Sequence, residues 1–153
     1  MSAAININKF SQFFILYAFV SLVVYFVTGF TILAGLVYLF ILSPFYLLCI
    51  AHVVSLAQKH SPSLIRYRKF LIYLIALFQI LVICFSPSNC YGVKQGVACS
   101  SFIQSLLGNY ILNNFENGSS LGGTSEFIFP VALVFYGISV VAFLGMLRIE
   151  PIG

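Results

Sequence analysis

Cys90 and Cys99 are the residues whose type and spacing most directly suggest chemistry, with eight residues between them, Tyr91 to Ala98. In an oxidising compartment such a pair is expected to form a disulfide that closes a small, glycine-bearing loop. A bridge of that span contributes on the order of 2–3 kcal/mol by chain entropy. A redox-active pair is the sharper reading, as in quinone-linked thiol oxidation. That chemistry calls for closely spaced cysteines, typically Cys-x-x-Cys, and a second pair to relay electrons, and neither is present. Cys49 and Cys84 fall inside apolar tracts, where a thiol behaves as a small hydrophobe.

The remaining reactive groups are few. His52 and His60 are the two histidines, and Glu116, Glu126 and Glu150 are the three acids. Two histidines on facing helices can hold a haem, but His52 and His60 lie along one helix and its end. No cluster of Cys, His or carboxylate has tetrahedral metal-ligand spacing. With no aspartate and every glutamate in a loop or at a tract boundary, no nucleophile–base pair can be assembled. No catalytic residue, cofactor ligand or metal ligand is assigned, and bound lipid is the one ligand expected.

Gln79 is the polar residue deepest in an apolar tract. An amide in hydrocarbon seeks a partner on a neighbouring helix, at an average of somewhat under about 1 kcal/mol per bond, so Gln79 reads as a helix–helix clamp. Ala132, Gly137, Ser139, Ala142 and Gly145 form a small-residue series in the last tract, and small residues let helices approach closely. These are the expected helix-packing positions. Asn117-Gly118-Ser119 matches the N-glycosylation acceptor pattern, a short motif that gains meaning only if its loop faces the secretory lumen.

The elements that carry these residues follow from charge and hydropathy. The chain has 153 residues, 61% hydrophobic and 7% charged, with mean hydropathy +1.09. A soluble domain carries roughly 25% charged residues. No charged residue occurs between Lys9 and Lys59, between Lys69 and Lys94, or between Glu126 and Arg148. About 20 apolar residues suffice to cross a bilayer. The tracts therefore predict an all-α membrane protein, a single domain over residues 1–153 with spans at about 10–27, 32–56, 70–86 and 127–147. The break at Thr28-Gly29-Phe30-Thr31 separates the first two spans, and Ser43-Pro44 predicts a kink in the second. Pro130 is placed in the first turn of the fourth, where proline is tolerated. The first span is crowded with Phe13, Phe14, Tyr17, Phe19, Tyr25 and Phe26, which suits lipid or a wide protein interface. It is too long for a signal-peptide core and reads as a retained anchor.

Lys59, Arg66, Arg68 and Lys69 concentrate in one short loop and act as topology determinants. They place that loop and both termini on the cytoplasmic, matrix or stromal side. Loop 87–126 then faces the outer or lumenal side, with an endomembrane or the plasma membrane as the expected location. Within it, Phe102, Ile103, Leu106, Leu107, Tyr110, Ile111 and Phe115 follow helical spacing. They predict a short amphipathic helix lying on the membrane or on a partner. The net charge of +4 is explained by topology, so no nucleic-acid partner is expected. The sequence reads as a non-catalytic accessory or scaffolding subunit of a larger membrane assembly. An oligomeric channel or facilitator protomer is the alternative, and a membrane thiol/quinone redox protein stands behind it.

Overall fold

The computed structural model describes residues 2–29, 31–93, 96–103 and 121–151. Helix dominates. Helix α1 spans Ile7–Thr28, α2 Ile32–Val37, a π-helical turn Tyr38–Leu42, α3 Ser43–His60, α4 Lys69–Phe85 and α5 Leu121–Gly145. Three helical stretches, Ile7–Thr28, Ala34–His60 and Ile128–Gly145, are long and apolar enough to cross a membrane. α4 is shorter. Its 17 residues extend about 26 Å at 1.5 Å per residue, between Lys69 and the Ser86-Pro87 stop.

The all-α expectation needs correction, because two small sheets cap the helices. Strands β1 (Ser2–Asn6), β2 (Ser63–Arg68) and β5 (Arg148–Pro151) form one antiparallel sheet in the order β1-β2-β5. The segments entering α1, joining α3 to α4 and leaving α5 are therefore hydrogen-bonded to one another at one end of the helices. Strands β3 (Pro87–Val93) and β4 (Gly96–Ser101) form an antiparallel hairpin after α4. Backbone donors and acceptors shielded from water need partners, and short segments held side by side by helix ends satisfy one another as strands.

Each helix begins and ends for a local reason. The Asn6 side chain accepts from the Asn8 amide at 2.9 Å and caps α1. At the other end the Gly29 N–H bonds the Tyr25 carbonyl at 2.9 Å. The Thr31 hydroxyl then accepts from the Ala34 amide at 3.2 Å and starts α2. A Cβ on Gly29 would lie 2.4 Å from the Tyr38 ring and 3.1 Å from Ala34 Cβ, so the tight α1–α2 connection requires glycine. The break expected at this point is where the chain turns.

The kink expected at Ser43-Pro44 takes the form of the π turn. Pro44 has no N–H to give and its ring crowds the preceding turn. Widening the helix over Tyr38–Leu42 makes room, and the Ser43 N–H reaches back to the Tyr38 carbonyl. The Ser43 hydroxyl donates to the same carbonyl at 3.0 Å. One further boundary differs from the sequence reading. α5 begins at Leu121, so Pro130 sits inside the helix and not in its first turn. Ser100 and Ser101, just before the predicted amphipathic helix at Phe102, belong to β4. The rest of that helix, from residue 104, lies outside the described residues, as does Asn117.

Burial is inverted relative to a soluble bundle. The buried stripe of α1 is Ile7, Phe10, Ser11, Phe14, Ala18, Ser21, Tyr25 and Thr28, spaced at three and four. It contains Ser11, Ser21, Tyr25 and Thr28, while Phe13, Phe19 and Val27 stand 62%, 66% and 60% exposed. An apolar exterior of this extent suits a hydrocarbon surrounding. Thus Tyr17 and Tyr25 turn inward, whereas Phe13 and Phe19 keep the outward role the sequence predicts for the whole aromatic set.

Candidate functional site

The inward stripes bring phenols from three helical stretches together with an amide from a fourth. Tyr25, Tyr38, Tyr46 and Tyr136 are fully buried. Spacing explains the convergence. Tyr17, Ser21 and Tyr25 recur every four residues along α1 and share one face. Tyr38 and Tyr46 are separated by eight across the π turn. Tyr136 lies on the buried stripe of α5 with Phe129, Ala132, Ser139, Val140 and Phe143.

Tyr136 is the hub. Its hydroxyl is hydrogen-bonded to that of Tyr46 and lies 2.8 Å from that of Tyr17. The Tyr17 hydroxyl donates to Gln79 Oε1 at 2.9 Å, and Gln79 Nε2 donates to Ser21 Oγ at 2.9 Å. Each phenol carries one proton. With the Tyr17 proton committed to Gln79, Tyr136 donates to Tyr17 and Tyr46 donates to Tyr136. The chain therefore runs one way, from α3 through α5 and α1 to α4. Gln79 links α4 to α1 as a clamp between helices, through both ends of its amide.

Two further phenols flank this chain. Tyr38 bonds Ser86 at 2.6 Å, tying the π turn to the end of α4. The Tyr25 hydroxyl is buried without a hydrogen-bond partner among the described residues. Its ring packs on those of Tyr38 and Tyr136, with centroids 5.2 and 6.2 Å apart. Beside the network an apolar groove of about 320 Å³ runs between α1, α4 and α5, lined by Phe10, Phe14, Ile75, Val140 and Phe143. Tyr17 and Gln79 also border it. Its walls match hydrocarbon rather than a polar solute.

The small-residue series of α5 divides. Ala132 and Ser139 are buried, Ala142 is half-buried, and Gly137 and Gly145 are not buried. A Cβ on Gly137 or Gly145 would meet nothing within 4 Å, so among the described residues these glycines do not mediate close helix approach. Ser139 donates to the Phe135 carbonyl at 2.7 Å within its own helix. Aromatic rings carry much of the contact between helices, as in Phe78–Phe135 with centroids 5.5 Å apart.

Cys90 and Cys99 are paired directly across the β3–β4 ladder. His52 is exposed on α3, and Cys49 is a buried free thiol. Among the described residues no three His, Cys, Asp or Glu side chains converge as a metal site. Lys59, Arg66, Arg68 and Lys69 are all exposed, and the Arg66 guanidinium meets Glu150 at 3.1 Å.

The phenol network is what sequence reading missed. Its signal was the four-residue recurrence of Tyr17, Ser21 and Tyr25, in register with the polar Thr28. No family model, curated protein or solved structure matches this chain.

Proposed function

We propose that this chain is a four-helix membrane bundle, α4 included, acting as a non-catalytic accessory or scaffolding subunit of a larger membrane assembly. The observation that carries the reading is the use made of the interior polar groups. Tyr17, Ser21, Tyr46, Gln79 and Tyr136 bond one another across the helices, so their hydroxyls and amide serve cohesion. The outward faces of α1 and α3 offer large apolar side chains such as Phe19 and Leu48, 66% and 72% exposed. These fit lipid tails and the spans of neighbouring subunits. A lone α4 of 17 residues can be accommodated by snorkelling of Lys69 and local thinning of the bilayer. The apolar groove between α1, α4 and α5 suits a lipid tail.

The channel reading draws less support, since phenols fill the space between the helices that a conduit would need. In the hairpin, we propose a Cys90–Cys99 disulfide. Residues directly opposite in an antiparallel ladder have Cα atoms about 4.5–5.5 Å apart, inside the range a disulfide spans. Such a bridge would require loop 87–126 to face an oxidising compartment, opposite the basic end.

The test is purification of the full chain in mild detergent. It should run with partner subunits as a particle far heavier than 17.0 kDa plus its micelle. A detergent-solubilised monomer without co-purifying chains, under conditions that keep other membrane complexes whole, would overturn the subunit reading.

A further inference from the structure

The antiparallel ladder of the three-stranded sheet pairs Arg66 directly with Arg148. Residues opposite each other in a ladder share a face, and so do residues two apart on one strand. Arg66, Arg68 and Arg148 therefore project from the same face, and all three are exposed. Ile65 is buried and Tyr67 half-buried on the other face, where the Tyr67 ring meets Phe143 of α5 with centroids 6.1 Å apart. One face thus rests on the helix ends and the other carries the cations.

Like charges directly opposite in a ladder repel. One carboxylate relieves that repulsion, because Glu150 pairs with Arg66 at 3.1 Å. Arg68 and Arg148 have no ion-pair partner among the described residues. Arg66, Tyr67, Arg68, Met146 and Arg148 line a pocket of about 240 Å³. Met146 is exposed immediately after α5, where the helix leaves the apolar phase. The pocket therefore has a cationic wall of arginines and an apolar wall at Met146, next to the helix end.

We propose that this pocket binds the phosphate of an anionic phospholipid, with Arg68 and Arg148 holding the phosphate oxygens and Met146 in contact with the start of an acyl chain. Guanidinium forks match phosphate oxygens in bidentate fashion. A free phosphate would share that chemistry with Arg68 and Arg148 but would leave Met146 and the apolar wall unused. The site does not depend on whether the chain is a subunit of anything.

The experiment is native mass spectrometry of the full chain, titrated with dioleoyl-phosphatidylglycerol or dioleoyl-phosphatidylcholine. The wild type should retain the anionic lipid preferentially. The double variant Arg68→Gln/Arg148→Gln should lose about fivefold in affinity per arginine removed, as expected for a cation at a membrane surface. Both residues are exposed, and Lys9, Lys59, Arg66 and Lys69 remain to hold orientation. Glu150→Gln, which removes the competing carboxylate, should strengthen retention and supplies a readout that loss of folding cannot mimic. Equal retention of the two lipids by the wild type would overturn the proposal, as would unchanged retention by the double variant. Displacement of phosphatidylglycerol by millimolar inorganic phosphate would assign the arginines to a soluble anion and overturn the lipid assignment.

Discussion

Tyr25 and Tyr136 make opposite use of the same functional group. The Tyr136 hydroxyl joins Tyr46 to Tyr17, whereas the Tyr25 hydroxyl is buried with no partner among the described residues. Tyr136→Phe leaves Tyr46 without its hydrogen bond and should cost about 1–3 kcal/mol, the penalty of a stranded buried group. Tyr25→Phe removes a group with no partner among the described residues and should leave stability unchanged or raised. Thermal unfolding of the two variants in the same detergent separates them, and equal losses would refute the network's role. Gly29→Ala should likewise destabilise, by about 1–3 kcal/mol, because the new methyl would overpack a buried ring. Gly35→Ala is its control, since a Cβ there meets nothing within 4 Å. Gln79 was legible because an amide in hydrocarbon must find a partner. The phenols were not, because a tyrosine suits a lipid interface and a bundle interior equally well.

Helix existence was readable from the uncharged tracts, and helix facing was not. Periodicity reports a face only when the two sides meet different solvents. Lipid is as apolar as a packed interior, so Phe13 outside and Phe14 inside look alike in sequence. Ser43-Pro44 foretold an interruption, but the π turn depends on the Ser43 N–H and hydroxyl both reaching the Tyr38 carbonyl. β2 escaped notice because two arginines, with Lys69 just beyond them, dominate a segment of six. The β3–β4 hairpin carries its own prediction. With Cys49 and Cys84 replaced by serine, the remaining thiols of freshly isolated membranes should resist maleimide–polyethylene glycol until a reductant is added. Immediate labelling before reduction would show the proposed bridge to be absent. If formed, the bridge should contribute about 2–3 kcal/mol for a loop of this length.

Charge concentration at one end of the molecule was the most legible property of all. Lys9, Lys59, Arg66, Arg68, Lys69 and Arg148 all lie in or beside the three-stranded sheet or at the helix ends that meet it. That distribution is expected of the cytoplasmic-side pole. Cysteine introduced at Lys59 should be labelled by an impermeant reagent only after the membrane is opened, and cysteine at Lys94 before it. Labelling of both from one side would overturn the proposed four-span arrangement. The proposed assembly, by contrast, would be written in the shape of the outward faces, and apolar exteriors of similar composition fit many neighbours.

β2 is bonded on both edges, to the strand that enters α1 and to the strand that leaves α5. Such a clasp resists shear at that pole, because sliding any helix lengthwise would break a ladder of backbone bonds. Breathing of the helices must then pivot about the sheet and gape at the far pole, like tongs held at the joint. The lateral groove runs from Phe10 and Phe143 beside that joint to Gln79 at mid-helix, so the same pivot would widen its Gln79 end more than its end at the sheet.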